Sequence, residues 1–230
     1  MTALRFHRLP FYFTHLCCNN LAQLCENTHM PKVVDHETRR RELGQAVWRV
    51  IRRDGVEAAS VRKVAQEAGW SAGALRHYFS TQTELLTFAM QMVVERIEAR
   101  VAALDPPPDP RGAVEQRLHE LLPLDKERRA ENEVWLAFAA RALVDSQLRT
   151  RHEEVDEELQ TACLGALQEL GSAGRLRPGL DLELEAERLH GLLDGLALHT
   201  AMRPDRMSPE LIRSVLARHL DSLDPEEKGQ

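Results

Sequence analysis

The sequence predicts an all-α protein with a three-helix N-terminal head and a larger helical body. Apolar residues make up 43% of the 230 positions, and they recur mainly at the three- and four-residue spacing of amphipathic helices. Leu, Ala, Glu and Arg dominate the composition, and no long stretch alternates apolar and polar residues as a half-buried strand would. We therefore expect helices throughout, separated by segments that contain proline and glycine.

The first 29 residues differ in composition from the rest of the chain. Three of the four cysteines lie there, and Met30-Pro31-Lys32 resembles a natural start. We expect residues 1–29 to be a disordered tail or the product of a start codon assigned too early, with a functional N-terminal arm as the alternative. Residues 30–80 are expected to form the head, residues 81–223 the body and residues 224–230 a second tail.

The first helix is expected to run from a cap at Asp35 to about Asp54. Arg39, Arg40 and Arg41 fall in its first turns, where cations oppose the helix dipole. A phosphate partner would explain these cations, and a solvated basic face is the alternative. The stripe expected to face the core consists of Leu43, Ala46, Val47, Val50 and Ile51.

Residues 60–79 read as two short helices joined by a tight turn. Ser60 and Ser71 stand where N-caps belong, because a serine hydroxyl can accept a hydrogen bond from a free N–H of the first turn. Gly69 stands between them, where a helix ends in a left-handed residue that a Cβ would penalise. In the second helix, Leu75 and Phe79 are four residues apart and can share one buried stripe.

The other face of the second helix carries small residues followed by polar ones. Arg76, His77 and Tyr78 are expected to point outward, and the small residues before them let the backbone approach a partner closely. Such a helix suits the major groove of DNA, where Ala74 can contact a thymine methyl and Arg76 a guanine edge or a phosphate. An ordinary αα-hairpin is the alternative. The residues expected to contact DNA are Arg39, Arg40, Ser60, Arg62, Lys63, Ser71, Ala72, Gly73, Ala74, Arg76, His77, Tyr78 and Gln82.

The net charge of −6 is distributed unevenly along the chain. Residues 32–80 hold ten Lys or Arg against six Asp or Glu, which gives +4, whereas residues 81–230 hold 18 against 29, which gives −11. A basic head on an acidic body fits a protein that binds DNA through its head alone. Ordinary surface variation is the alternative.

The body is expected to begin with a long helix from a cap at Ser80 or Thr81 to about Leu104, which the prolines of residues 105–110 end. Apolar stripes over residues 114–122, 134–143 and 159–170 predict three more helices. Residues 171–179 are expected to form a loop. Leu182–Met202 and Pro209–Leu223 are expected to form the last two helices, the second of them with Ser208 as its cap.

These last two helices are apolar on more than one side, so each needs a second partner. We expect a homodimer in which two helices from each copy form a four-helix bundle, and burial within one subunit is the alternative. The residues expected at the interface are Leu189, Leu192, Leu196, Leu211, Val215 and Leu216.

Four residues of the body are candidates for a ligand site, and each also has a structural alternative. Asp194 interrupts an apolar run, and a buried carboxylate is costly unless it is paired, so Asp194 meets either a cationic ligand or an Arg or backbone N–H. Phe88, Trp135 and Phe138 are candidate walls of a pocket, with core packing as the alternative for each.

No motif for catalysis, metal binding or cofactor binding is complete. The helix segment 152–156 lacks the second His of a zinc protease, and no phosphate loop or nucleophile elbow occurs. We expect no metal, no cofactor and no enzymatic activity, and the alternative is a helical enzyme or metal-binding protein that uses Asp194, His190 or His199. No run approaches the ~20 apolar residues that span a bilayer, and the cysteine pattern favours a reducing, cytoplasmic setting.

Two parts of the chain resemble a known family. Val64–Ser71 (VAQEAGWS) followed by Gly73–Phe79 (GALRHYF) is similar to the DNA-binding signature of the tetracycline-repressor (TetR) family. Trp135–Phe138 (WLAF) and Leu192–Leu196 (LLDGL) resemble the C-terminal half of the choline-responsive repressors of the glycine-betaine pathway. The resemblance covers about residues 31–222. It implies a homodimeric repressor that binds near-palindromic double-stranded operator DNA and is released by a small molecule in the body.

Gln82 departs from the pattern of this family, whose members usually carry Lys at that position, where it is expected to hold a phosphate. Gln can hydrogen-bond a phosphate but releases no counterion, so the salt dependence of DNA binding should be shallower by about one unit of slope. The departure leaves open a family member that has lost DNA binding and serves as a partner-binding adaptor.

Overall fold

The computed structural model describes residues 36–225, with side chains from Thr38 onward, and every regular element in that range is a helix. The all-α prediction is confirmed. Asp35, the expected first cap, the tail at residues 1–29 and most of the tail at 224–230 lie outside the described residues. The helices of the described range are α1 His36–Asp54, α2 Val61–Ala68, α3 Ala72–Arg76, α4 Gln82–Ala102, α5 Pro110–His119, α6 Lys126–Ala142, α7 Ser146–Ser172, α8 Leu182–Met202 and α9 Pro209–Asp221.

Side-chain caps start four of these helices as the sequence predicts. Ser60, Ser71, Thr81 and Ser208 each accept a hydrogen bond from the backbone N–H three residues further on, at 3.3, 3.1, 3.1 and 3.2 Å respectively. Gly69 ends α2 with φ of 71°, the left-handed conformation expected there. Within the head, local sequence signals therefore determine where α2 and α3 begin and how the turn between them is made.

Helix ends differ from the expected ones by one or two residues at several places. Helix α4 ends at Ala102 and not at Leu104, and α7 continues through Gly171 and Ser172, which were expected in a loop. The predicted stripe that includes Leu122 extends beyond α5, into the turn after that helix. In the described range, no helix is both long and apolar enough to cross a membrane.

The first apolar cluster joins the head to part of the body. All five stripe residues predicted for α1 are buried, and Val64 of α2 and Leu75 of α3 are fully buried against them. Val134, Phe138 and Leu148, from α6 and α7, belong to the same cluster. Residues from Arg41 onward accordingly form one compact unit. The boundary drawn after residue 80 stays a prediction, since head and body share this core.

The second apolar cluster joins α5, α7, α8 and α9, and it includes three of the residues predicted at the interface. Leu189 and Leu216 have no exposed surface, and Leu196 is 4% exposed. Leu189 and Leu216 therefore have no surface to offer a second copy, and Leu196 has little. They belong to the core of their own subunit, the alternative that the sequence left open.

A polar network connects α1, α4 and α6. Glu131 of α6 is 4% exposed and accepts hydrogen bonds from Arg96 at 2.9 Å and from both terminal nitrogens of Arg100 at 2.8 and 2.7 Å. One turn earlier, Glu127 accepts from Arg96 and from the Trp48 indole, each at 3.1 Å. The Arg96 guanidinium also lies 4.4 Å from the centre of the Trp48 ring. These charged groups link the first helix of the head to the body.

Candidate nucleic-acid interface and body site

Helix α3 is anchored by its buried side and presents its other side to solvent. Leu75 is fully buried and Phe79 is 6% exposed, so both hold α3 on the core as predicted. The Ser71 cap fixes the first turn, because its hydroxyl accepts from the Ala74 N–H. The exposed residues of this segment are Ala72, Gly73, Ala74, Arg76, His77 and Tyr78. A rigid helix start with small exposed residues has the shape that fits a major groove.

Tyr78 is positioned by the turn residue Trp70. The two ring centres lie 5.5 Å apart with their planes tilted by 56°, and Tyr78 is 37% exposed. The aromatic contact restrains the phenol at the edge of the α3 surface, while its remaining exposure keeps it accessible to a phosphate oxygen. A packing role therefore accompanies the predicted DNA contact.

Several cations of the head are engaged by neighbouring carboxylates. Lys63 Nζ lies 3.4 Å from Asp54 Oδ2. Glu67 accepts hydrogen bonds from Arg53 at 2.8 Å and from Arg49 at 2.7 Å. Both bonds hold the pKa of Glu67 below its ordinary value, and the bond from Arg53 has the larger effect. These cations are exposed and close to α2, so each has both an intramolecular partner and access to solvent.

Gln82 has a structural contact that sequence analysis missed. Its Nε2 donates to the Ala59 carbonyl oxygen at 2.6 Å and thereby joins the first residue of α4 to the segment ahead of α2. This bond uses one of the two N–H groups of the amide. The side chain remains exposed, so the predicted phosphate contact stays a prediction. Contacts of the exposed Arg39, Arg40 and Arg62 with DNA also stay predictions.

Three of the four residues predicted for a ligand site meet in the body. The His152 ring of α7 stacks on Trp135 at 5.0 Å and on Phe138 at 6.2 Å, with planes 20° and 13° apart. The Trp135 side chain also acts on Asp194 of α8, where it favours the charged carboxylate. Phe88, the fourth residue, packs on Phe79 with ring centres 5.0 Å apart, which is the core packing considered as its alternative.

The carboxylate of Asp194 lies among titratable neighbours. His190 Nε2 is 3.6 Å from Asp194 Oδ2 and 3.5 Å from Asp156 Oδ1. Burial raises the pKa of Asp194 above its ordinary value, and the charge of His190 acts in the opposite direction. Cys163 is fully buried, and burial together with the charge of Asp194 raises the pKa of its thiol to about 12. The thiol is therefore protonated at neutral pH and unreactive.

His152 and Asp156 lie beside the predicted ligand residues but were not themselves predicted as site residues. His190 was named only under the alternative of an enzyme or metal-binding protein. The segment 152–156 fails the zinc-protease pattern, although His152 and Asp156 both belong to the group that the structure assembles. The four-residue spacing of His190 and Asp194 was the one local signal. Asp156 lies on α7, the helix before α8, and no sequence pattern relates it to His190 and Asp194.

An open cleft of about 330 Å³ lies elsewhere, between the end of α1 and the start of α6. Cations dominate its lining, which includes Arg52, Arg53, Lys126 and Arg129. None of the residues predicted for ligand binding lines it, so this cleft and the aromatic group around His152 are separate features.

The exposed apolar surface of α8 lies on a different face from the one predicted. Leu184, Leu198 and Met202 are 57, 48 and 72% exposed. These three residues and Gly191 form one stripe along α8, because three- and four-residue steps lead from each of them to the next. A Cβ at Gly191 would meet no atom of the subunit within 4 Å. Of the residues predicted at the interface, Leu211 is 44% exposed and Leu192 and Val215 are half-buried, so these three keep surface for a partner.

Comparison with known proteins matches the head and the body of the chain to two family models. Residues 45–87 match the family model of bacterial regulatory proteins of the tetR family, and residues 110–225 match that of the C-terminal part of BetI-type transcriptional repressors. The chain is similar to the HTH-type transcriptional regulator PksA of Bacillus subtilis (strain 168), with 41% identity over 197 residues, 84% of this chain and 94% of the relative.

Two further similarities agree with this assignment. The HTH-type transcriptional regulator BetI of Vibrio atlanticus (strain LGP32) is 32% identical over 196 residues, 84% of this chain and 94% of the relative. The crystal structure of a transcriptional regulator from Rhodococcus sp. Rha1 has a TM-score of 0.68 and 32% identity, covering 80% of this chain and 95% of that one. With the exposed helix α3 and the all-helical body, these similarities show that the chain belongs to the TetR family of bacterial transcriptional regulators and is not an enzyme.

Proposed function

We propose that the protein is a ligand-responsive repressor that binds a near-palindromic operator as a homodimer and is released by a small molecule bound in the body. The observation that carries this proposal is the geometry of α3, whose Leu75 is buried while Ala74 and Arg76 are exposed. In a two-fold dimer, two such helices enter successive major grooves about 34–36 Å apart, or a multiple of a helical turn apart.

The exposed stripe of α8 supports the homodimer. Exposed Leu and Met side chains flank Gly191 and Gly195, at which a Cβ would meet no atom of the subunit within 4 Å. Small residues between large apolar ones let a partner helix approach closely and bury the flanking side chains. Leu211 of α9 adds apolar surface, so α8 and α9 of two copies form a four-helix contact.

Helix α6 supports coupling between a body ligand and the head. Trp135 and Phe138 stack with His152, and the same helix carries Glu127 and Glu131 in its preceding turns. Through Glu127, α6 is bonded to α1. A ligand that displaces α6 therefore acts on the head and changes the spacing of the two α3 helices. A difference in ligand affinity between the two arrangements worth ~1–3 kcal/mol suffices for useful coupling.

The first test is DNA binding by the purified chain on fragments of its own upstream intergenic DNA, at two salt concentrations, with random DNA as competitor. We expect specific binding by a dimer that weakens as salt rises, because phosphate contacts release counterions. Complete absence of salt-dependent affinity for any DNA would contradict the repressor and favour the adaptor alternative. The bound complex then provides an assay in which effectors are screened by release.

Two substitutions in and beside α3 test which residues read sequence. Ala74→Leu is expected to change or abolish sequence preference, because the larger side chain occupies the space of the groove contact. Tyr78→Phe is expected to weaken binding to specific and random DNA alike, by about 0.5–1.5 kcal/mol, since it removes one hydrogen bond and keeps the ring contact with Trp70. If both variants lost the same affinity on specific and on random DNA, the role of Ala74 in reading sequence would be contradicted.

A further inference from the structure

Three side chains with metal-ligand atoms converge between α7 and α8. Asp156 lies on α7, and His190 and Asp194 lie one turn apart on α8. Each offers one ligand atom, and these atoms all lie within 4.8 Å of one another. His190 is 6% exposed, whereas the side chains of Asp156 and Asp194 keep 46 and 44% of their surface. The group therefore has a buried nitrogen at its base and opens to solvent on the carboxylate side.

The buried nitrogen has no hydrogen-bond partner. Nε2 of His190 is inaccessible to solvent and makes no hydrogen bond. The nearest carboxylate oxygens, of Asp156 and Asp194, are 3.5 and 3.6 Å away, beyond the roughly 2.7–3.2 Å of an N–H···O bond. A buried polar atom without a partner is costly, so an unpaired nitrogen that faces two carboxylates calls for an explanation.

The same distances suit a metal ion. When Zn–N and Zn–O bonds are about 2.0–2.2 Å long, neighbouring ligand atoms of a tetrahedral site are about 3.4 Å apart. Both distances from His190 Nε2 agree with this value to within about 0.2 Å. We propose that Asp156, His190 and Asp194 bind one divalent transition-metal ion, with Nε2 and one oxygen of each carboxylate as ligands and water on the open side.

The ligand set determines the class of metal. A neutral imidazole favours Zn²⁺, Co²⁺ or Ni²⁺ over Mg²⁺ and Ca²⁺, which prefer oxygen ligands alone. His190 and Asp194 face the same side of α8 because they are four residues apart. The proposal is independent of operator binding, since it concerns the body alone.

The test is a Co²⁺ titration of the untagged full chain without DNA, followed by visible absorption and by competition with Zn²⁺ and Mg²⁺. We expect one Co²⁺ per chain at this site, displaced by Zn²⁺ and not by Mg²⁺. His190→Gln should lower the Co²⁺ affinity by at least about 100-fold and Asp156→Asn by at least about tenfold. His199→Gln is the matched control, because His199 is exposed on the same helix, and it should bind as the parent chain does.

Cys17, Cys18 and Cys25 in the N-terminal segment can bind metal themselves, so the titration is repeated on the full chain with these three residues replaced by Ser, and the site variants are compared in both backgrounds. Melting curves of the metal-free variants establish that each one folds. If His190→Gln does not fold, Asp156→Asn provides the test. The Asp156 side chain is 46% exposed, so the fold should tolerate its replacement. Undiminished Co²⁺ affinity in the variants, or no Co²⁺ binding by the parent, would overturn the proposal. Either result leaves the DNA-binding tests unaffected.

Discussion

At the scale of single residues, Gln82 connects the start of the body to a segment of the head that is distant in the chain. Its amide donates to the Ala59 carbonyl at 2.6 Å, so it positions the start of α4 against the segment ahead of α2. We expect Gln82→Ala to lower the free energy of unfolding by about 1 kcal/mol, measured by urea denaturation, because the carbonyl loses its donor. Gln66→Ala, an exposed change on α2, is the control and should have little effect.

A second substitution at the same position tests the departure from the family pattern. Gln82→Lys adds a cation where members of the TetR family usually carry one. We expect the slope of log affinity against log salt to become steeper by about one, because one more counterion is released on binding. An unchanged slope would show that this position does not contact a phosphate.

His119 makes stability depend on pH. Burial, and then the charges of Arg213 and Arg128, lower the pKa of His119 from 6.5 to about 4. Its Nδ1 lies 3.0 Å from Arg213 Nη1, so the neutral ring accepts this hydrogen bond. Between pH 6.5 and 4 the unfolded chain binds a proton that the folded chain excludes. The stabilising contribution is therefore complete above about pH 6.5 and is lost as the pH falls towards 4.

We expect His119→Gln to reduce the loss of stability between pH 6.5 and 4, measured as urea midpoints at several pH values. Exposed His199→Gln is the control and should keep the pH dependence of the parent. If both variants lose stability as steeply as the parent does, another group is responsible, and His219 is the next candidate because burial lowers its pKa as well.

At the scale of elements, α6 is one of the connections between the head and the body. Glu131 is almost fully buried, and its carboxylate receives three hydrogen bonds from Arg96 and Arg100. Glu131→Gln removes the buried negative charge, while Arg96 keeps its bond to Glu127 and Arg100 keeps its bond to Glu120. We expect Glu131→Gln to lower the free energy of unfolding by about 1.5–3 kcal/mol, measured by urea denaturation, because charge-assisted hydrogen bonds are weakened.

The control for this prediction lies on the same helix. Glu133 is exposed on α6, and Glu133→Gln should change stability by less than about 0.5 kcal/mol. Similar losses in the two variants would show that the network around Glu131 contributes no more than an ordinary surface charge does.

At the scale of the whole molecule, the proposed homodimer places the exposed face of α8 at its interface. Gly191→Leu adds a side chain where the subunit itself has open space, so the fold should tolerate it while a partner helix would be displaced. Leu198→Glu places a charge on the same stripe. We expect each change to raise the dimer dissociation constant at least about tenfold, measured by sedimentation, and to weaken operator binding in parallel.

Val144→Glu is the matched control, because Val144 is 83% exposed but lies outside α8 and α9. It should leave the dimer unchanged. Dimers that persist in both Gly191→Leu and Leu198→Glu would place the interface on another surface.

Features that depend only on neighbouring residues could be predicted from the amino-acid sequence. The caps Ser60 and Ser71 and the left-handed Gly69 act within one turn of backbone, so the two short helices of the head and the turn between them could be predicted. The buried pair Leu75 and Phe79 could be predicted from a four-residue spacing, and this pair in turn fixes the outward face of α3.

Tertiary structure decided the features that depend on which surfaces meet. An arc of apolar residues on α8 does not indicate which side faces the subunit, and packing on α7 and α9 turned Leu189 and Leu196 inward and left Leu198 outside. In the same way, no local pattern relates Asp156 to His190, because the two become neighbours only when α7 and α8 pack together. Contacts between distant segments have no fixed spacing in a sequence, and packing alone sets them.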